Sequence, residues 1–142
     1  MTLEDFLSLF VHSTRLQVSW EVQHQQDDVR VNFHGEDAPI LLARNAEVIR
    51  ALEYLANHLF ERQEGQKIQV DCQGYRAIRA EELRLMALTA AEKVKRLGKP
   101  YPLSPMSPEE RRIIHLAVAD DPLLRTESEG FGENRKVVIY PK

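Results

Sequence analysis

An arginine and a histidine lie four positions apart in the last third of the chain, at Arg111 and His115. Side chains at i and i+4 of an α-helix point the same way, so a helix here would hold the two together. A guanidinium offers a planar fork of donors suited to phosphate, and an imidazole can donate to phosphate or stack on a base. The pair is a candidate for nucleic-acid binding, although on spacing alone such a pair is more often part of an ordinary solvated helix face.

The segment around this pair has the pattern of an amphipathic helix. Ser107 suits an N-cap and Pro108 the first helical position, while Asp121-Pro122 suits the end. One broad face is apolar, with Ile113, Ile114, Leu116, Ala117 and Val118. The opposite face is predicted to carry Arg111, Arg112 and His115. Beyond the helix, Leu123 to Glu129 and Arg135 to Tyr140 are predicted to form two strands, joined across residues 130–134 as an antiparallel hairpin.

The upstream part of the chain predicts a separate α+β unit. Apolar spacing predicts a helix from Leu3, and alternation then predicts strands over 16–22, 29–33 and 68–72. Between the last two strands, residues 40–59 are typical of helix, tight turn and helix, with the turn at 43–46. The single cysteine, Cys72, is expected to be buried and inert in the last strand.

A long connecting helix is predicted between the two parts. Residues 76–97 contain neither Gly nor Pro, and the helix should stop at Gly98 before a proline-rich stretch. We therefore predict three regions, at 1–75, 76–99 and 100–142.

Charge is unevenly distributed along the chain. The net charge is −3, and residues 1–75 hold six basic against twelve acidic side chains. Residues 76–99 hold seven basic against three acidic side chains, so phosphate contacts are expected in the second half. No apolar run is long enough to cross a bilayer and the start lacks a basic leader, which predicts a cytoplasmic protein that makes no membrane contact.

The C-terminal sequence closely resembles the last domain of the bacterial Jag proteins. The resemblance is carried by Ser107 to Ala117, by Arg125-Thr126-Glu127-Ser128-Glu129-Gly130, and by Asn134 to Pro141. That domain is of the R-three-H type, named for an Arg and a His separated by three residues, which Arg111 and His115 match. Jag proteins place a type II KH domain before it, whose order of elements is similar to the order predicted for residues 1–75.

The resemblance implies an α+β protein with a KH-like domain, a linking helix and an R-three-H domain. It implies binding of single-stranded RNA, with single-stranded DNA as a second ligand, and no enzymatic step, cofactor or metal. The candidate binding residues are Arg111, His115, Ser128, Arg135, Lys136, Arg125 and Phe131. Phe131 is peculiar to this sequence, since Jag proteins usually carry a polar residue there; it would either stack on a base or pack on the helix.

The chain departs from the KH pattern at the loop that holds the nucleic-acid backbone. KH domains use a GxxG loop, where this chain has Ala43, Arg44, Asn45 and Ala46. Glycine allows close approach of the strand and a positive φ, whereas alanine adds a Cβ at both flanks. The KH-like half is therefore expected to bind RNA weakly or not at all.

Two other classes of function compete with RNA binding. A protein-interaction module that has lost RNA binding would use the KH-like half to form a homodimer or to pair with another KH protein. A hydrolase with His115 as general base would need a nearby nucleophile or metal, yet the other histidines show no ligand spacing.

Overall fold

A computed structural model describes residues 1–60 and 66–142 and divides the chain into two compact units, Met1–Arg76 and Ala77–Lys142. Both units mix helices with a small three-stranded sheet, which confirms the α+β class. Residues 61–65, which belong to the predicted 1–75 region, lie outside the described residues.

The first unit has two strands after its first helix, then a long interrupted helix and a third strand. Its elements are α1 (Leu3–Thr14), β1 (Ser19–His24), β2 (Asp28–His34), α2 (Ala38–Leu59), β3 (Lys67–Cys72) and the start of α3 (Tyr75–Leu97). The sheet order is β1-β2-β3, antiparallel between β1 and β2 and parallel between β2 and β3. The parallel pair requires a crossover, which α2 supplies. This is the predicted order of elements, and its assignment as a KH-like domain stays a prediction.

The core of the first unit forms on one face of this sheet. Alternate residues of β2 and β3 are buried, and the register pairs Val31 with Val70 and Phe33 with Cys72. Leu7 of α1, together with Leu41 and Ile49 of α2, is buried in the same cluster. Cys72 is buried as predicted, and burial raises the pKa of its thiol.

The second unit is built from one long and one short helix against an antiparallel sheet. After α3 come β4 (Tyr101–Pro102), α4 (Pro108–Val118), β5 (Leu124–Glu129), a short 3₁₀ helix (Gly132–Asn134) and β6 (Lys136–Pro141), with sheet order β4-β6-β5. The Ser107 hydroxyl accepts from the Glu110 amide at 3.3 Å, which confirms the predicted N-cap of α4. The two-residue strand β4 lies in the proline-rich stretch that follows the end of α3.

The helix predicted as a connector is part of the C-terminal core. α3 buries Leu83, Ala87, Ala90, Ala91 and Val94 in one cluster with Ile114, Val118, Val137 and Ile139, among others. The compact unit accordingly begins at Ala77, whereas the sequence prediction began the last domain at residue 100. The buried stripe is easily overlooked because three of its five members are alanines.

This packing predicts unequal effects of truncating two leucines that lie two residues apart on α3. Leu83 is fully buried, so Leu83→Ala should lower the free energy of unfolding by about 2–4 kcal/mol. Leu85 is 51% exposed, and Leu85→Ala should cost less than about 1 kcal/mol. Urea denaturation of both variants measures the difference, and a small loss for Leu83→Ala would mean that α3 is a free connector after all.

Candidate nucleic-acid interface

Helix α4 holds Arg111 and His115 one turn apart, as the sequence predicts. Ile114 and Val118 are buried against the sheet and thereby set the rotation of the helix. Arg111 and His115 consequently lie at the border of the packed face and are half-buried, while Arg112 is exposed. The pair is side by side, but it is less open to solvent than a purely polar helix face would be.

The imidazole of His115 lies between two hydroxyl groups of β5. Its Nδ1 is 2.6 Å from Thr126 Oγ1, and its Nε2 is 3.0 Å from Ser128 Oγ. Alternate residues of a strand face the same side, which brings both hydroxyls toward α4. Both ring nitrogens are thus engaged within the protein, so His115 does not project freely toward a ligand.

The environment of His115 favours its neutral form. Partial burial lowers the pKa of the imidazole, and the nearby positive charge of Arg111 lowers it further. A neutral imidazole has one donor and one acceptor nitrogen, which matches two hydroxyl partners that can each donate or accept.

Arg111 is oriented with part of its guanidinium inward. Its Nε and Nη1 atoms are buried and have no hydrogen-bond partner among the described residues. Nη2 is the one guanidinium nitrogen outside this buried set, which makes it the candidate for contact with an anion. Its two N–H groups and the positive charge of the guanidinium suit phosphate oxygens.

The sheet separates the other predicted residues into two sets. Ser128 pairs with Val137 and faces α4, whereas Lys136 pairs with Glu129 and lies on the opposite face. Arg125 shares that opposite face, where its guanidinium lies 4.2 Å from the Tyr140 ring centroid and 2.7 Å from a Glu127 oxygen. Arg125 and Lys136 are therefore not brought together with Arg111 and His115.

The loop between β5 and β6 carries the remaining two candidates. Arg135 is half-buried, and its Nη1 donates to the Gly130 carbonyl at 2.7 Å, which closes the loop. Phe131 is 90% exposed at the tip, so the interpretation that it packs on the helix is wrong. Its ring is available for stacking.

Thr126 is the residue of this site that the sequence analysis missed. It lies two positions before Ser128 in a predicted strand, so alternation alone places it on the same face. A hydroxyl side chain on the same predicted strand face as Ser128 was the available signal.

In the first unit, the loop at 43–46 adopts an unusual backbone without glycine. Arg44, Asn45 and Ala46 all have φ near 55°, in the left-handed region, whereas Ala43 has φ −60°. We expected a positive φ, and so a need for glycine, at both flanks of the loop, positions 43 and 46. At position 43 this expectation is wrong, because Ala43 has a negative φ. Arg50 Nε donates to the Asn45 carbonyl at 3.0 Å, and the Tyr75 hydroxyl lies 2.5 Å from Asn45 Oδ1. These contacts hold the loop in its strained form.

Side chains of the same unit also close the outer edge of β3. The Asn57 amide donates to the Ile68 carbonyl at 2.7 Å and accepts from the Ile68 amide at 3.0 Å. Glu53 accepts from the Val70 amide at 2.9 Å, Arg76 Nε donates to the Val70 carbonyl at 3.1 Å, and Glu53 and Arg76 form an ion pair. The main-chain groups that an edge strand would offer to a partner are thus already bound at these two residues.

Neither a metal cluster nor a membrane-spanning helix is found in the described residues. Within 1–60 and 66–142, no three His, Cys, Asp or Glu side chains group as metal ligands, and no helix is long and apolar enough to span a bilayer.

Comparison with known proteins identifies the class of the C-terminal unit. Residues 81–141 match the family model of the R-three-H domain, so the chain contains this domain, and the matched range includes Arg111, His115 and the whole β5–β6 hairpin. The match begins within α3, in keeping with the packing of that helix into the C-terminal core.

Longer stretches of the chain are similar to bacterial proteins named RNA-binding protein KhpB. The protein of Clostridium symbiosum is 34% identical over 129 residues, which cover 89% of this chain and 58% of that protein. The protein of Bacillus subtilis is 36% identical over 125 residues, covering 85% and 60%. That of Lactiplantibacillus plantarum is 28% identical over 137 residues, covering 95% and 42%. The chain therefore spans about three fifths or less of the length of these relatives.

The lowered pKa of His115 predicts acid sensitivity of the second unit. The unfolded ring, with its pKa near 6.5, binds a proton more readily than the folded one, so the free energy of unfolding rises with pH in this range. Between about pH 7.5 and about pH 5.5, the wild-type protein should lose more stability than His115→Gln, whose amide does not titrate. Equal losses in urea denaturation of the two proteins would contradict a His115 held neutral by the fold.

The loop backbone predicts opposite effects of two neighbouring glycine substitutions. Arg44 is exposed and left-handed, so Arg44→Gly should raise the free energy of unfolding by about 0.5–1 kcal/mol. Ala43 is exposed and has a negative φ. Ala43→Gly should therefore lower the free energy of unfolding by about 0.5–1 kcal/mol, because glycine adds conformational freedom to the unfolded chain. Thermal or urea unfolding gives both signs, and a shared sign would show that the loop is not strained as described.

Proposed function

We propose that the chain binds single-stranded RNA through the surface formed by Arg111, His115 and Ser128, and that it catalyses no reaction. The carrying observation is the guanidinium that lies beside a hydroxyl-bound imidazole inside a recognised R-three-H domain. The relatives named RNA-binding protein support RNA as the ligand. Since the phosphate chemistry is shared, single-stranded DNA is a second ligand to be compared directly, and the expected place of action is the cytoplasm.

Phe131 would extend this surface by stacking on a base. An exposed aromatic ring gives sequence-tolerant affinity, because every base has a π-face. Its 90% exposure at the tip of the β5–β6 loop, three residues after Ser128, supports this role. Arg135 would act indirectly, by closing the loop that presents the ring.

The contact between Ser128 and His115 favours binding over hydrolysis. In serine hydrolases a carboxylate orients the histidine and stabilises the imidazolium that forms when serine is activated. Here the third group is the Thr126 hydroxyl, and burial of the ring, together with the Arg111 charge, lowers the pKa of the imidazole. An imidazolium is disfavoured at this position, so His115 is poorly suited to act as a general base.

The KH-like half is proposed to contribute little to RNA affinity. Its loop lacks both glycines, its Arg50 is bonded to loop carbonyls, and the β3 edge is occupied by Asn57 and by the pair of Glu53 and Arg76. The twofold excess of acidic over basic residues in positions 1–75 also repels phosphate.

A second candidate function for this half is protein interaction, either as a homodimer or with another KH protein. Leu55 and Leu59 lie one turn apart on the same face of α2 and are 43% and 61% exposed, and the neighbouring Tyr54 is 64% exposed. Exposed apolar side chains that share a helix face are more typical of an interaction surface than of a solvated helix. Sedimentation at rising concentration, with and without Tyr54→Ser, distinguishes self-association from a monomer.

Binding of RNA is tested by fluorescence anisotropy with an unstructured labelled RNA, using Arg111→Gln and Arg112→Gln. The two changes remove the same charge from adjacent positions, but only Arg111 lies in the proposed site. Arg111→Gln should weaken binding about tenfold, because a hydrogen bond to a charged group is lost, and Arg112→Gln about twofold or less. The dependence of log affinity on log salt should also become shallower by about 0.7 for Arg111→Gln, the loss of one phosphate contact on a single strand.

Thermal unfolding of both variants serves as the folding control. If both changes weaken RNA binding equally, the arginines contribute through overall charge and not through a defined site. If the wild-type protein does not bind RNA, the proposed function is overturned.

A further inference from the structure

Three side chains of the second unit form a continuous hydrogen-bonded chain. Thr126 Oγ1 contacts one nitrogen of His115 and Ser128 Oγ contacts the other, at 2.6 Å and 3.0 Å. None of the three has another side-chain hydrogen bond among the described residues. The direction of each bond in this chain decides what the Ser128 hydroxyl can offer to a ligand.

The two contact lengths differ in the sense expected for one of the two tautomers of a neutral ring. Toward an oxygen acceptor, a hydroxyl donor makes a bond of about 2.7–2.8 Å and an N–H donor one of about 2.9–3.0 Å, so hydroxyl donors tend to make the shorter bonds. The 2.6 Å contact therefore fits Thr126 donating its hydroxyl proton to Nδ1, and the 3.0 Å contact fits Nε2–H donating to Ser128 Oγ. A neutral imidazole has one donor and one acceptor, so these two assignments agree with each other.

We propose that Thr126 and His115 are positioning residues that keep the Ser128 hydroxyl proton free to donate to a phosphodiester oxygen, beside the positive charge of Arg111. With Nε2–H donating, Ser128 Oγ accepts from the ring and its own proton points elsewhere. In the opposite tautomer that proton would be given to His115, and Ser128 would present only lone pairs to a phosphate. The inference rests on the proposed function and adds Thr126, together with the tautomer of His115, to it.

Burial and Arg111 both support this arrangement. Burial of the ring and, after it, the charge of Arg111 lower the pKa of His115, which favours the neutral form on which the direction of these hydrogen bonds depends. Arg111 Nη2, the nitrogen not enclosed by the protein, supplies the charge that draws in the phosphate, while Ser128 supplies a directed neutral donor.

The tautomer is measured directly by nitrogen-detected NMR of the imidazole in the whole chain. The expected result is a protonated Nε2 and an unprotonated Nδ1 for His115. A protonated Nδ1 in the free protein would overturn the inference, whatever the affinity for RNA.

The link to binding is tested by a double-mutant cycle of Thr126→Val and Ser128→Ala, with anisotropy on the same unstructured RNA. Ser128→Ala should weaken binding about tenfold, through loss of a hydrogen bond to a charged group. Thr126→Val removes the donor to Nδ1 and releases one of the two anchors of the ring, so it should weaken binding about threefold to tenfold. In the Ser128→Ala background it should change nothing further, because Thr126 acts only through Ser128.

Thr126→Ser is the matched control, since it keeps the hydroxyl and should restore wild-type affinity. Wild-type affinity of Thr126→Val, or losses that add in the double variant, would overturn the inference. If Arg111→Gln still weakens RNA binding in that case, the proposed function stands without it. If the wild-type protein binds no RNA, the proposed function itself fails.

Discussion

The arrangement of the second unit depends on how α4 packs on its sheet. Ile114 and Val118 are buried in the same cluster as Val137 and Ile139, and this contact fixes the rotation of the helix about its axis. Because His115 directly follows Ile114, burial of one places the other at the border of the sheet, within reach of the β5 hydroxyls. Arg111, one turn earlier, is carried to the same border. A rotation of the helix by one residue would exchange the histidine for an apolar side chain, so hydrophobic packing and site geometry are set by the same few positions.

Periodicity was sufficient to predict the order of the elements and the pairing of Arg111 with His115, because both depend on local geometry. The relation between the strands and the helix depends on tertiary packing, which local periodicity does not encode. Position in the hairpin alone groups Ser128 with Lys136 and Arg125, although the alternation of paired strands places the latter two on the other face. The sequence of α3 is typical of a connector, since alanines bury little area each and give a weak apolar signal. In the loop at 43–46, only the backbone angles show that the left-handed region starts at Arg44 and excludes Ala43.

The two units differ in whether their polar side chains are hydrogen-bonded to the unit's own main chain. In the first, side chains that are able to meet a ligand are bound to the protein itself: Asn57 to Ile68, and Arg50 to the loop. These bonds satisfy main-chain amides and carbonyls that would otherwise need another partner, and they stabilise the unit without a ligand. In the second unit, Thr126, His115 and Ser128 are bound to one another, and two guanidinium nitrogens of Arg111 are buried without a hydrogen-bond partner among the described residues. In the proposed site, the Ser128 hydroxyl and Arg111 Nη2 are the donors left for a ligand. A site for a polyanion needs donors of this second kind.

The proximity of Arg111 and His115 suggests two cations acting together, but the energetics favour a different division of roles. A second positive charge in a half-buried position beside a guanidinium is repelled by it and loses solvation, and both effects lower the pKa of the imidazole. A neutral histidine adds no charge to the site, yet it transmits orientation, because its two nitrogens bind different partners with opposite polarity. In the proposed site, the arginine would supply the positive charge and the serine a directed hydrogen bond. Lysine at position 111 would keep the charge but lose the planar guanidinium. A charged residue in place of His115 would add a second charge, and the Ser128 hydroxyl would no longer be bound to a neutral ring.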